Sequence, residues 1–392
     1  MSIFTDPALG LRGGPFQPRL EEQSRSKAWY GWAGYIAPAS LDNVEFEYFA
    51  LRNQAALFDI SPMKKYRITG PGALTAINRL ITRDAAKIRV GRVGYCVWCD
   101  EEGMVIDDGT LFRLAENDWR LCCQEPMLTW LLDATWGMDA DVIDETDTLA
   151  ALALQGPTSY AILEAAGLEV AQMKPFDHAE VEPGLVISRT GFTGDLGYEL
   201  WTDRDAALPL WDRIWQASTH QGLRAIGYEA VNIARIEAGY LAAGIDFQPV
   251  HATERLHRGQ TPFELGLGWQ VNWDKGHFNG RRALRAAQDA PRSLLMKLDV
   301  EGFKPANSAL VYHRKRREVG HITSGLWSPT AKRNIALAHV KTSYARPRAP
   351  DLWAEIYTSE EGRWTTRMAR LTPMTTPFFA PARARATPPG RL

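Results

Sequence analysis

The sequence predicts an α+β protein built in several parts, and three observations carry that prediction. A chain of 392 residues exceeds what one hydrophobic core usually organises. Two stretches, 94–132 and 149–221, share a grammar of short strands, Gly-containing turns and a closing helix. Beyond them, 293–372 holds strands with Gly and Pro turns and no helical period, which marks a separate β-barrel or sandwich. The expected division is an N-terminal arm over 1–27, two intertwined α+β units over 28–290, a β-rich domain over 291–375 and a tail over 376–392.

The elements follow in order. Residues 1–27 are rich in Gly, Pro and charge, so they read as a surface arm outside the core. Phe46, Phe49, Leu51, Ala55 and Leu57 recur at helical spacing over 44–58, and Lys65 to Ile68 then alternates as a strand before the Gly70-Pro71-Gly72 turn. A helix follows over 73–81, then an antiparallel meander with turns at Glu101-Glu102-Gly103 and Glu116-Asn117-Asp118. The second stretch opens with strand 149–155 and a Gly156-Pro157 turn into helix 158–166. Strand 185–189, the Gly191/Gly194/Gly197 loop, strand 198–201 and helix 206–220 complete it. A strand, a Gly-Pro turn and a helix thus occur twice, pointing to internal duplication. Helices are expected over 228–239 and 281–290, and 376–392 reads as a frayed tail.

Composition narrows the classes. The balance of 45 Lys+Arg against 46 Asp+Glu gives no charge excess to draw the protein onto nucleic acid. No run of about eighteen apolar residues suggests a membrane span, and Asp6, Gly10, Gly13 and Pro15 interrupt the start where a signal peptide needs continuity, so a cytoplasmic protein is expected. Cys96, Cys99, Cys122 and Cys123 lie in apolar strand-like runs and read as reduced fillers; no metal site is assigned.

Several segments could carry chemistry. Asp107 and Asp108 are adjacent carboxylates in an otherwise apolar strand, and half-buried neighbours of like charge need a hydrogen-bonding or cationic partner. A surface turn would contain the same pair. Around Gly191, Gly194 and Gly197 there is no phosphate-loop signature, but Glu199 in the next strand could accept two parallel N–H bonds from a planar amidine-like edge, such as a pterin presents. Arg235 and Glu237 lie on different faces of one helix. The fourteen Trp, among them Trp269, are core by default, with a few available as walls for a flat ligand.

In order, 56–63, 103–109 with its Asp pair, 154–157, 189–194, Gly197-Tyr198-Glu199-Leu200, 235–239, 266–269, 278–284 and 323–330 resemble the glycine-cleavage T-protein (aminomethyltransferase) family. That family includes folate-dependent demethylases of dimethylsulfoniopropionate and of methoxylated aromatic acids. The resemblance runs from about Glu45 to Leu371. It implies a three-domain ring around a central folate channel, with a C-terminal β-barrel or jelly-roll-like domain and tetrahydrofolate as cofactor. Carried over by motif, Asp107 or Asp108 lies near folate N5 and Glu199 grips the pterin edge with Tyr198 beside it. Arg235 holds a polar group of the folate, Gln124 stands beside the pterin, and Trp269 runs along the channel.

Departures from the family pattern bear on the donor. Tyr30-Gly31-Trp32-Ala33-Gly34-Tyr35 replaces a His- and Pro-rich motif, Tyr240 to Asp246 replaces Leu-Tyr-Gly-His-Asp, and an insert over 247–260 carries His251 and His257. These differences weigh against a lipoyl carrier protein as partner and towards a small-molecule methyl donor, with a methoxylated aromatic acid favoured. Tyr240, His251 or Tyr30 could then supply the proton to the leaving group. The alternatives are a glycine-cleavage aminomethyltransferase, a demethylase of an N- or S-methyl compound and, ranked last, a non-catalytic folate-binding protein.

Overall fold

The computed structural model describes residues 10–253, 258–346 and 351–390. The first nine residues, weighed above for a signal peptide, and His257 of the insert lie outside them. A three-stranded sheet opens the described chain: β1 (Arg12–Gly13), α1 (Gln17–Gln23), β2 (Ala28–Trp32) and β3 (Tyr35–Ser40), with β3 central. The arm does contribute to the core, against expectation. Phe16 and Leu20 are buried, and the Phe16 ring meets Trp211 at 6.0 Å, because the short helix turns one apolar face inward.

Next come α2 (Val44–Asn53) and β4 (Ala55–Asp59). Asn43 caps α2 by accepting the amides of Glu45 at 2.9 Å and Phe46 at 3.3 Å, with Glu45 and Glu47 in the first turn and Arg52 in the last. The helix stops short of Phe58. All of β4 is buried, so its apolar residues serve two faces of a sheet and not one face of a helix.

The first unit runs β5 (Lys64–Thr69), α3 (Ala73–Leu80), β6 (Arg92–Cys99), β7 (Val105–Ala115), β8 (Asp118–Cys123), α4 (Leu128–Ala134) and β9 (Asp141–Asp144), in sheet order β6-β7-β8-β5-β9. The second runs β10 (Leu149–Gln155), α5 (Ser159–Ala165), β11 (His178–Glu182), β12 (Leu185–Ser188), β13 (Gly197–Asp203), α6 (Ala207–Ala217) and β14 (Leu223–Ala225), in order β11-β12-β13-β10-β4-β14. The chain traces the same path twice. One difference stands out: β4, from before the first unit, wedges between β10 and β14, antiparallel to the former and parallel to the latter.

One face of each sheet packs on its own helices. The opposite faces share a core in which Val93, Phe112 and Cys122 of the first sheet meet Phe58, Ala151, Ala153 and Trp201 of the second. Phe112 and Trp201 touch edge to face at 5.3 Å across it. All four cysteines are free and buried within or at the ends of these strands.

After α7 (Tyr228–Ala238) and α8 (Arg281–Ala287), the β-rich domain is a closed barrel rather than a jelly roll. Its strands are β15 (Ser293–Val300), β16 (Leu310–His313), β17 (Arg317–Ser328), β18 (Arg333–Lys341), β19 (Leu352–Glu360) and β20 (Arg363–Met374), with α9 (Thr342–Ala345) after β18. The order β15-β18-β17-β16-β19-β20 closes on itself, which leaves no free edge. Two buried polar knots join the barrel to α7. Glu237 accepts from Tyr48 at 2.6 Å, Arg52 at 2.6 Å and Ser328 at 2.5 Å. Asp246 accepts from Arg235, from Ser324 at 2.6 Å and from Thr323 at 2.7 Å.

Among the described residues no helix is long and apolar enough to cross a membrane.

Candidate active site

Strand alternation decides which of the adjacent carboxylates has solvent access. Asp107 is fully buried; its Oδ1 accepts the Asp108 amide at 2.9 Å and its Oδ2 the Glu125 amide at 3.1 Å. Asp108 turns to the opposite face, the one shared with Phe112, and is only partly buried. Its Oδ2 accepts a 2.6 Å hydrogen bond from the Tyr95 hydroxyl. Burial, with the neighbouring Asp108 charge, pushes the Asp107 carboxyl well above the usual range. Burial likewise pushes Asp108 up to about 6, against the Tyr95 bond that favours its charged form.

Glu199 occupies β13 two residues before Trp201, so it too faces the space between the sheets. Its Oε2 accepts from Thr190 Oγ1 at 2.6 Å and more weakly from Ser188 Oγ at 3.4 Å, while burial pushes its carboxyl up to about 6. Two glycines allow this placement. A Cβ on Gly191 would lie 2.0 Å from the Gln155 side chain and one on Gly197 2.3 Å from it; the amide of Gln155 fills the gap, donating to the carbonyls of Thr190 and Tyr198 at 3.2 Å. The glycine spacing is thus explained by a packed glutamine.

Other expected residues fall at various distances from this pair. The Trp269 ring is largely exposed and meets Tyr95 at 6.4 Å, which brings it to the Asp108 side. Gln124 donates at 3.3 Å to the Ala243 carbonyl, tying the end of β8 to the turn that carries Asp246. Tyr198, expected beside the cofactor, turns to the other face of β13 and is buried among Leu154, Tyr160 and Leu200, because it alternates with Glu199.

Arg235, expected to hold a polar group of the folate, is fully buried and its guanidinium is committed to the protein. It donates to Asn232 at 2.8 Å, Ser324 at 2.9 Å, the Tyr240 carbonyl at 3.1 Å and Asp246. Tyr240 is 41% exposed and stacks on Phe192 at 5.9 Å, beside the loop that holds Glu199. Tyr30 packs against Tyr228 at 5.6 Å. His251 is exposed on a short turn over Val250–Ala252, and no hydrogen bond among the described residues joins it to Asp107, Asp108 or Glu199.

Sequence reasoning did not single out Tyr95, Thr190, Ser188 or Asp246 as functional. The available signal was a pair of hydroxyl residues just before the glycine loop: Ser188 closes β12 and Thr190 lies two residues beyond it.

The description "GCVT N-terminal domain" matches residues 23–275, and "Glycine cleavage T-protein C-terminal barrel domain" matches 293–357. An aminomethyltransferase of Halothermothrix orenii is 32% identical over 345 residues, covering 85% of this chain and 92% of its own. Another from Streptomyces coelicolor is 34% identical over 346 residues, covering 84% and 90%. A trimethylamine-oxide aldolase of Ruegeria pomeroyi is 32% identical over 316 residues, which span 76% of this chain but 39% of that protein. The crystal structure of glycine cleavage system aminomethyltransferase T from Bartonella henselae superposes with a TM-score of 0.83 at 25% identity, covering 94% of this chain and 98% of that one.

Proposed function

The chain belongs to the glycine cleavage T-protein family, and from that premise we propose that it transfers a one-carbon unit to N5 of tetrahydrofolate, with an aminomethyl group as the favoured cargo. The observation that carries this reading is the placement of Asp108 and Glu199 on the two sheet faces that meet each other. The residues fit a folate. Both hydroxyls that hold Glu199 reach Oε2, which leaves Oε1 to accept N–H bonds from the planar pterin edge.

Tetrahydrofolate, when bound, supplies the nucleophilic N5. Asp108, with its carboxyl near the neutral range, takes up and returns a proton at that nitrogen. Tyr95 fixes the Asp108 rotamer, and Asp107 anchors the strand through two backbone amides. Arg235 acts as a positioning residue: with Asp246 it holds α7 and the barrel in register. Orientation of this kind lowers the barrier for a modest nucleophile.

The names of the relatives favour an aminomethyl donor; borne on the thiol of a lipoyl carrier protein, it would give 5,10-methylenetetrahydrofolate and ammonia, with the carrier thiol released as the S–C bond breaks. A second reading, methyl transfer from a small methylated donor such as a methoxylated aromatic acid, is favoured by the aromatic pairs Phe192–Tyr240, Tyr30–Tyr228 and Tyr95–Trp269. The test incubates the protein and tetrahydrofolate with an aminomethyl-loaded carrier or with a panel of methoxybenzoates, methylamines and sulfonium compounds, and reads folate products by mass. The 5,10-methylene product with the carrier alone supports the first reading. The 5-methyl product with one small donor replaces it by the second. No product with any donor removes one-carbon transfer altogether.

A further inference from the structure

The segment 378–390 follows the barrel, lies beyond both matched family segments and, where composition alone suggests a frayed tail, packs against the second sheet. It returns from the barrel to the second sheet and binds the 189–195 loop at both ends. At one end the buried Arg189 donates to Thr387 Oγ1 at 2.9 Å, to the Ala386 carbonyl at 2.7 Å and to the Ala384 carbonyl at 3.3 Å. At the other, Arg383 donates to both oxygens of Asp195 at 2.7 and 2.9 Å, a fork-to-carboxylate contact with strong directional preference. Asp195 is fully buried and also faces Arg52 at 3.6 Å. Further back, the Phe379 amide donates to the Glu237 carbonyl at 2.9 Å, and the Phe379 ring lies 4.0 Å from the Arg52 guanidinium.

Between those two anchors sits Thr190, whose hydroxyl holds Glu199. We infer that the C-terminal segment is a strap that positions the folate-gripping carboxylate: by pinning Arg189 and Asp195 it sets Thr190 against Glu199. Arg383 and Arg189 are positioning residues in this scheme and touch no substrate. The inference rests on the assignment of Glu199 to the folate. Linkage then requires reciprocity, since a strap that tightens folate binding must itself be tightened by bound folate to the same degree.

The experiment measures amide hydrogen exchange of the full-length protein with and without saturating tetrahydrofolate, alongside calorimetric folate affinity of the wild type and Arg383→Gln. The expected result is slowed exchange at Phe379 and over 384–386, with folate affinity falling roughly tenfold in the variant through a displaced carboxylate. In the variant the KM for tetrahydrofolate should rise more than kcat falls, and Arg383→Lys, which keeps the charge but loses the fork, should fall in between. If Arg383→Gln fails to fold, the wild-type exchange comparison decides alone. Folate that binds while exchange in the strap stays unchanged overturns the inference and leaves the folate reading intact. Absence of folate binding to the wild type overturns both.

Discussion

The two sheets trace the same path, yet they surround their carboxylates differently. In the first, Asp108 is held by a single phenol, with buried Asp107 next to it in sequence. In the second, Glu199 has no acidic neighbour in its strand and is held by two aliphatic hydroxyls. Burial raises both carboxyls to about 6, so depth alone does not separate their tasks. What separates them is the surrounding structure: Asp108 follows a second acid whose carboxyl burial also raises, whereas both hydroxyls on Glu199 reach Oε2 and among the described residues no hydrogen bond reaches Oε1. The first setting suits the proposed proton transfer and the second the proposed pterin contact.

That contrast can be broken by substitution, beginning with the largest effect. Asp108→Asn should lower kcat by roughly 10²- to 10⁴-fold while folate affinity holds, read by steady-state kinetics against calorimetry. Glu199→Gln should do the reverse, weakening tetrahydrofolate binding by about 1.5–3 kcal/mol, or roughly 10- to 150-fold, with a smaller change in kcat. Should both variants lose affinity alike, the division of labour between the sheets fails.

Smaller changes sharpen it. Thr190→Val should cost about 1 kcal/mol of folate affinity, measured calorimetrically, with little effect on pH dependence. Tyr95→Phe should instead move the acid limb of kcat/KM to higher pH, by up to about one unit, because the lost phenol bond favoured ionised Asp108. Stability gives a further comparison. The Asp108 carboxyl is raised from 3.8 to about 6 on folding, so the folded state holds its proton more tightly than the unfolded state. The stability this contributes is complete below the unfolded value and lost as pH rises through the folded one. Asp108→Asn should therefore raise stability by on the order of 1 kcal/mol above neutral pH and give no gain below about pH 4, read as Tm across that range.

Legibility in the sequence followed locality. Gly-Pro turns and apolar spacing located α3, α5 and the meanders, since those signals lie within one element. The last part of the helical spacing over 44–58, from Ala55 to Phe58, belongs to a strand, because burial on both faces of a sheet depends on β10 and β14, which come from far along the chain. For the site, the resemblance pointed to Glu199 and the Asp pair, but the choice between Asp107 and Asp108 needed the strand's facing. Arg235 is given to the folate by the resemblance alone; its carboxylate partner Asp246 is only eleven residues on, but the turn that brings it back and the barrel residue Ser324 carry no local signal of the pairing. The docked tail was hidden for the same reason. Its composition suggested fraying, whereas the anchors Arg189 and Asp195 lie nearly two hundred residues earlier in the chain.

The most direct test is one calorimetric series, titrating tetrahydrofolate into the wild type, Asp108→Asn and Glu199→Gln under identical conditions. Tight binding to the wild type, retained in Asp108→Asn and lost in Glu199→Gln, is the predicted result. Equal affinity in all three proteins, or loss in Asp108→Asn alone, would contradict the assignment of the folate grip to the second sheet.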